Sequence, residues 1–189
     1  KVLQKAESIS ADDPVVLFQT GSIYYYKNDE KYAIYFDRLH NAVKDNNTEY
    51  SKYTKAFKLL MAYHYKQKNY SRTIEISNKL QSGSQDYETI ITAARSNHYL
   101  GQHEEAILLF KKISVQNNSD RVLLAVSYAE TGRNEMAIDI IRNIQYDQNA
   151  YSEARKNKSL QPLIKEIEKQ AEQKRIEQLK KTVTPAVNP

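Results

Sequence analysis

Apolar residues recur at helical spacing through most of this chain, and short turns interrupt them at regular distances. The clearest example is the segment 86–116, where the apolar positions stop at Leu100 and resume at Ala106. Gly101 lies between them, and glycine adopts a positive φ at no steric cost. Glu104 then falls in the first turn of the second helix, where the helix dipole favours negative charge. The segment therefore predicts a helix hairpin.

The same two-helix pattern returns on both sides of this segment. It predicts four hairpins, at residues 13–45, 47–81, 86–116 and 118–145. A small residue opens the second helix of each copy, and these residues are 40, 33 and 31 positions apart: Ala33, Thr73, Ala106 and Ala137. A helix-turn-helix unit that repeats roughly every 34 residues is typical of tetratricopeptide repeats (TPR), and this chain resembles that family.

The resemblance extends to individual positions of the repeat. Small residues occupy the eighth position in three copies, where the second copy has Met61: Gly21, Ala94 and Ala125. The eleventh position is aromatic in the first and last copies, and polar in the others: Tyr24, Tyr128, His64 and Asn97. The turn holds glycine in the last two copies but not in the first two: Gly101, Gly132, Asn28 and Lys68. The consensus tryptophan and terminal proline are missing, so we interpret the first two copies as degenerate repeats.

The resemblance implies an all-α fold, a right-handed superhelix of antiparallel helix hairpins. Asp13 before Pro14 predicts the start of the first helix. The stretch 45–49 predicts a loop or a lengthened helix start, capped by Asn47 or Thr48. The Ser- and Gly-containing stretch 81–84 marks the place where an array would bend.

The segments that flank the repeats have their own patterns. Residues 1–10 are typical of the end of a preceding helix or repeat, and residues 183–189 predict a disordered tail. Residues 150–182 predict charged capping helices. Their apolar stripe would cover the last hairpin, as repeat arrays require: Leu160, Leu163, Ile164, Ile167 and Ala171.

Composition narrows the possible chemistry. The chain has no cysteine, which excludes a disulfide framework and a thiolate zinc site. Its net charge is +5, and residues 151–189 carry nine basic against five acidic residues, so the body before them is close to neutral. This distribution argues against nucleic-acid binding. No apolar run approaches the ~20 residues of a membrane span.

No catalytic, cofactor-binding or metal-ligating constellation emerges from the sequence. His103 and Glu104 begin a HExxH-like pattern, but Ile107 stands where the second histidine would be. His40 and His64 are isolated on their helices, and we expect them to be half-buried structural residues. The sequence therefore predicts a protein that is not an enzyme.

Tyrosine is concentrated in the first half of the chain, where ten of the 15 tyrosines lie in the segment from Tyr24 to Tyr70. In TPR arrays the first helix of each hairpin lines a concave surface, so the resemblance implies a basic, Tyr-rich protein-binding groove. Carried onto this sequence, the groove positions are Phe18, Tyr25, Tyr26, Lys55, Lys58, Tyr65, Lys66, Arg95, His98 and Tyr99. Such a groove would hold an extended or helical peptide with acidic and apolar side chains. The carboxylate clamp of chaperone-binding TPRs is not present.

Two functional hypotheses follow. The first is a non-enzymatic scaffold or adaptor in a multiprotein assembly, and the Asn, Lys, Tyr and Ile usage favours a bacterial cell-envelope, motility or secretion assembly by analogy. The second is a sensing or dimerising segment of a larger regulator or enzyme, in which case the chain could self-associate. The absence of cysteine leans towards a periplasmic or envelope location, with the cytoplasm as the alternative.

Overall fold

The structure of the protein is a computed structural model, and it describes residues 12–81, 86–115 and 117–183. All regular elements in these ranges are α-helices, so the predicted all-α class is confirmed. The helices are α1 Pro14–Tyr26, α2 Tyr32–Val43, α3 Asn47–Lys52, α4 Thr54–Lys66, α5 Tyr70–Gln81, α6 Tyr87–Tyr99, α7 His103–Lys112, α8 Asn118–Glu130, α9 Asn134–Ile144, α10 Gln148–Lys156 and α11 Gln161–Val183. They form two compact units, α1 to α6 and α7 to α11, divided between Gln102 and His103. This division falls in the turn of the predicted third hairpin.

Four of the helices end in the same turn. The second residue after each helix end has a positive φ, namely 53° at Asn28, 58° at Lys68, 73° at Gly101 and 76° at Gly132. The following amide donates to a carbonyl five residues earlier: Asp29 to Tyr24, Asn69 to His64, Gln102 to Asn97 and Arg133 to Tyr128, at 2.8 to 3.0 Å. This is the Schellman motif. The turns are 40, 33 and 31 residues apart, so the sequence repeat produces a repeated local structure.

The first unit has its core between successive helix pairs. Its largest buried side chains include Leu17, Phe36, Leu39, Phe57, Leu60 and Ile76. The small residues that the repeat pattern singled out are buried as well, with Ala33 and Thr73 on the second helices and Gly21 on α1. Small side chains at these positions let neighbouring helices approach closely, so the pattern reflects packing.

Helix α3 begins after a different capping residue from those predicted. The side chain of Asn46 accepts a hydrogen bond from the amide of Glu49 at 3.1 Å, so Asn46 is the helix cap and the assignment to Asn47 or Thr48 was wrong. Residues 47–49 of the stretch 45–49 form the first half of this six-residue helix. Tyr50 anchors this helix, because its ring stacks on Phe57 at 4.1 Å between centroids. Asp13 caps α1 as predicted, through the amides of Val15 and Val16.

The second unit packs α7 to α11 around one core. Its buried members include Ile107, Val126, Ile141, Ile144, Leu160 and Ile164. Leu163 and Ile167 pack against this core, but Ala171 is exposed, so the docked stripe ends earlier than predicted. Helix α10 begins at Gln148, after the capping side chain of Asp147.

Several sequence predictions lie outside the described residues. These are the preceding helix at 1–10, the bend at 82–84 and most of the disordered tail at 183–189. Of the tail only Val183 is described, and it is the last residue of α11. Within the described ranges, no helix has the length and apolar content needed to cross a membrane.

Candidate functional site

A groove runs along the first unit between α1 and α4. It consists of two pockets of about 410 and 290 Å³ that share Tyr25 and Leu59. The larger pocket is lined by Phe18, Ser22, Tyr25, Tyr26, Phe36, Lys55, Ala56, Lys58 and Leu59. The smaller pocket is lined by Tyr25, Asn28, Glu30, Tyr32, Leu59, Ala62, Tyr63 and Lys66. We call the two joined pockets the α1–α4 groove.

One wall of the groove is aromatic and uncharged. Helix α1 contains no Asp, Glu, Lys or Arg, and it contributes Phe18, Tyr25 and Tyr26. Tyr26 is 83% exposed, although it borders an apolar pocket. Tyr and Phe offer broad apolar faces, and tyrosine adds a polar tip, so such a wall suits contact with another molecule.

Aromatic rings from three helices pack against one another and form the floor of the groove. Tyr32 packs edge-on against Tyr25 at 5.4 Å, Phe36 at 5.7 Å and Tyr63 at 5.8 Å, measured between ring centroids. These contacts join α1, α2 and α4. Burial, with a smaller contribution from the Glu30 charge, raises the pKa of Tyr32. Restrained rings lose little conformational entropy when a ligand binds, which makes this floor a preorganised surface.

The opposite wall carries three lysines with different surroundings. Lys58 Nζ lies 3.1 Å from Asp86 Oδ2, and Lys66 Nζ lies 3.9 Å from Glu30 Oε1. Lys55 is exposed and makes no ion pair with any residue of the described ranges. Among the described residues, Lys55 is therefore the groove lysine that has no carboxylate within ion-pair distance, and it lies at the end where α4 begins.

Asp86 connects the groove to α6. It caps that helix by accepting from the amide of Thr89 at 3.1 Å and from its hydroxyl at 2.7 Å. Partial burial acts to raise the pKa of Asp86, but the hydrogen bonds from Thr89 and Lys58 outweigh it and lower the pKa. Lys58 therefore belongs to the structural contact between α4 and α6 as well as to the groove lining.

The structure brings six of the ten sequence-predicted groove residues together in these pockets: Phe18, Tyr25, Tyr26, Lys55, Lys58 and Lys66. The remaining four line neither pocket. Among them, Tyr65 and Tyr99 flank Tyr70, with centroid distances of 5.8 and 4.9 Å, and His98 contacts Tyr99 at 5.4 Å. Arg95 is half-buried on α6.

Sequence reasoning missed the groove residues that come from α2 and the turn before it, namely Asn28, Glu30, Tyr32 and Phe36. The family positions point only to first helices, so they could not supply these. It also missed Leu59 and Ala62 on α4, although each lies four positions from a predicted lysine, Lys55 or Lys58, and so shares its helix face.

A polar network crosses the first unit away from the groove lining. Asp37 accepts from His64 Nε2 at 2.9 Å and from Arg72 Nη2 at 2.7 Å, and Arg72 also donates to Glu75 at 2.6 Å. His40 Nδ1 lies 3.0 Å from the Tyr50 hydroxyl. Both histidines are buried rather than half-buried, and His40 is 0% exposed. The network ties α2, α3, α4 and α5 together, and a substrate cannot reach the His40 ring.

Nothing in the described ranges groups three or more His, Asp or Glu side chains in a way that could hold a metal ion. Comparison of the sequence with protein-family models and with curated proteins gives no match. The geometry and chemistry of the α1–α4 groove are therefore the basis for a proposed function.

Proposed function

We propose that this protein is a non-enzymatic, TPR-like scaffold that binds a segment of another protein in the α1–α4 groove. The observation that carries the proposal is the exposed aromatic wall, Tyr25 and Tyr26, beside an apolar pocket of about 410 Å³. Binding pockets in proteins commonly have volumes of ~300–1,000 Å³ and a mostly apolar lining with a few polar groups. The repeated hairpin turns and the residue pattern that resembles TPR support a scaffold of stacked helix pairs.

The groove dimensions fit a short peptide segment. Lys55 and Lys66 mark its two ends along α4, and at ~1.5 Å per residue the helix between them is about 16 Å long. An extended chain of about five residues covers that length at ~3.3 Å per residue. The lining favours a segment with apolar and acidic side chains, since the apolar floor is bordered by lysines.

The setting we propose is a multiprotein assembly of the bacterial cell envelope, motility or secretion apparatus. The Asn-, Lys-, Tyr- and Ile-rich composition and the absence of cysteine support this setting by analogy. The near-neutral charge of the chain before residue 151 argues against nucleic acid as the partner.

A pair of Ala→Trp variants tests the groove directly. Ala62 is exposed and lines the smaller pocket, whereas Ala42 is exposed on α2 and lines neither pocket. Affinity capture from the source organism, followed by mass spectrometry, should recover a partner with wild type and Ala42→Trp. Ala62→Trp should lose that partner because the indole fills the smaller pocket, which a segment that extends from Lys55 to Lys66 must cross. A partner retained by both variants would refute the groove as the binding surface.

Helix α11 supports an alternative role in self-association within a larger regulator or enzyme. Ile176 and Leu179 are 42% and 54% exposed, and they follow Ile164 and Ile167 by 12 residues. At ~100° per residue this offset places them about 120° around the helix from the docked stripe. Sedimentation velocity should show a concentration-dependent dimer that Ile176→Lys and Leu179→Lys abolish; a monomer at all concentrations would dismiss this role.

A further inference from the structure

We infer that the bound segment places a carboxylate on Lys55, and that Lys55 determines the charge preference of the groove. This inference rests on the proposed function, because it concerns the ligand of the same groove. It follows from the different surroundings of the three groove lysines. Lys58 and Lys66 each lie near a carboxylate of the protein, whereas Lys55 makes no ion pair with any described residue.

Lys58 already forms an ion pair within the protein. Its Nζ lies 3.1 Å from Asp86 Oδ2, and the same oxygen accepts the Thr89 hydroxyl at 2.7 Å. Both side chains of the ion pair are only about one third exposed, 36% for Lys58 and 30% for Asp86. A ligand that recruited Lys58 would take it from Asp86 at the start of α6, and the loss of this ion pair would offset the new contact.

Lys66 is disfavoured for a different reason. Glu30 Oε1 lies 3.9 Å from its Nζ, and the two side chains are 61% and 77% exposed. The pair itself contributes little, because solvent screens it. A ligand carboxylate at this end would nevertheless approach Glu30 as well as Lys66, so attraction and repulsion would largely cancel.

Lys55 has neither restriction. It is exposed, lines the larger pocket, and lacks an ion-pair partner among the described residues. Leu59 lies one helical turn further along α4, with Phe18 and Tyr25 among the residues of the same pocket. A carboxylate on Lys55 would thus be adjacent to apolar side chains inserted into the pocket. The partner chemistry is an acidic residue next to one or two aliphatic or aromatic residues.

The test is selection of ligands from a random nine-residue peptide library displayed on phage. Wild type, Lys55→Glu and the control Lys111→Glu serve as targets; Lys111 is exposed on α7 and lines no part of the groove. Wild type and Lys111→Glu should enrich peptides with Asp or Glu beside apolar residues. Lys55→Glu should lose that acidic preference and enrich Lys or Arg.

The strongest wild-type peptide is then synthesised and titrated by fluorescence anisotropy. Lys55→Glu should weaken its binding about tenfold at low salt, and this difference should shrink as salt rises, because the contact is exposed. Circular dichroism should show unchanged helicity, since the Lys55 side chain has no ion pair or hydrogen bond with the described residues to lose.

The outcomes distinguish a failure of the Lys55 contact from a failure of the groove as a binding site. If Lys55→Glu selects the same acidic peptides with undiminished affinity, Lys55 is not the charge-selecting residue, although the groove can still be the binding site. If Ala62→Trp binds the selected peptide as well as wild type does, or if no peptide is enriched, the proposed function fails and this inference fails with it.

Discussion

The backbone of Gly21 in α1 lies directly against the ring of Phe36 in α2. A β-carbon at residue 21 would come within 2.5 Å of Phe36 Cε1, closer than two carbon atoms can approach. Phe36 is itself 1% exposed and packs against Phe18 and Tyr32. The helix pair that forms one wall and part of the floor of the α1–α4 groove therefore depends on the absence of a side chain at Gly21.

Gly21→Ala should destabilise the first unit by about 1–2 kcal/mol. Overpacking a core costs ~1–3 kcal/mol, and the gain in helix propensity from Gly to Ala offsets up to ~1 kcal/mol of that. The free energy of unfolding from urea titrations measures the effect. Phe36→Leu should relieve the clash, so the double variant should be more stable than the sum of the two single changes. An additive double variant would show that Phe36 is not the obstacle.

Lys68→Gly should stabilise the protein by about 1 kcal/mol. Lys68 has a φ of 58° in the turn after α4, a conformation that costs a residue with a β-carbon ~1–2 kcal/mol and costs glycine nothing. Gly132 occupies the equivalent turn with a φ of 76°, so Gly132→Lys should destabilise by a similar amount. Urea titrations of both variants check the pair. Equal stability of Lys68→Gly and wild type would contradict the strain argument.

Lys58→Glu should destabilise the contact between α4 and α6. The new carboxylate would face Asp86, whose position is fixed by its hydrogen bonds to Thr89. We expect a loss of about 1 kcal/mol, allowing for the partial exposure of the pair. Hydrogen exchange measured by mass spectrometry should show faster exchange at the start of α6. Lys55→Glu is the matched control and should leave this exchange unchanged.

The stability of the first unit should fall as the pH is lowered below about 6.5, because of His40. Burial, together with the nearby Arg72 charge, lowers the pKa of His40 from its ordinary value of 6.5, and the opposing charges of Glu75 and Asp37 do not cancel this. The unfolded chain therefore binds a proton at higher pH than the folded chain does. The stability contribution is complete above pH 6.5 and is lost as the pH falls towards the folded pKa.

Hydrogen exchange of α2 and α3 at pH 7.5 and 5.5 measures this effect. His40→Gln retains a hydrogen-bonding group for Tyr50, which lies 3.0 Å from His40 Nδ1, but it cannot titrate. The variant should therefore show a smaller loss of protection between the two pH values than wild type. The same loss in both proteins would assign the pH dependence to other groups.

The sequence alone determined the helical class, the repeated turns and part of the groove lining. Helical periodicity and turn residues are local properties, so they located the turns at Asn28, Lys68, Gly101 and Gly132 without any tertiary information. The repeat pattern also predicted that α1 and α4 share a face, and Phe18, Tyr25 and Lys55 from those helices line the same pocket, whose role in protein binding stays a prediction.

Only the tertiary structure decided which groups meet across the helices. Lys58 pairs with Asp86 over 28 residues of sequence, and Tyr32 enters the groove floor from α2. Helix packing determines which side chains of different helices contact each other. The spacing of residues along the chain does not specify these contacts. The burial of His40 and the cap at Asn46 depended on α3, whose docking by Tyr50 onto Phe57 is likewise a packing event. The sequence thus supplied the lysines, and the fold made Lys58 differ from Lys55, because among the described residues Lys58 forms an ion pair with Asp86 and Lys55 forms none.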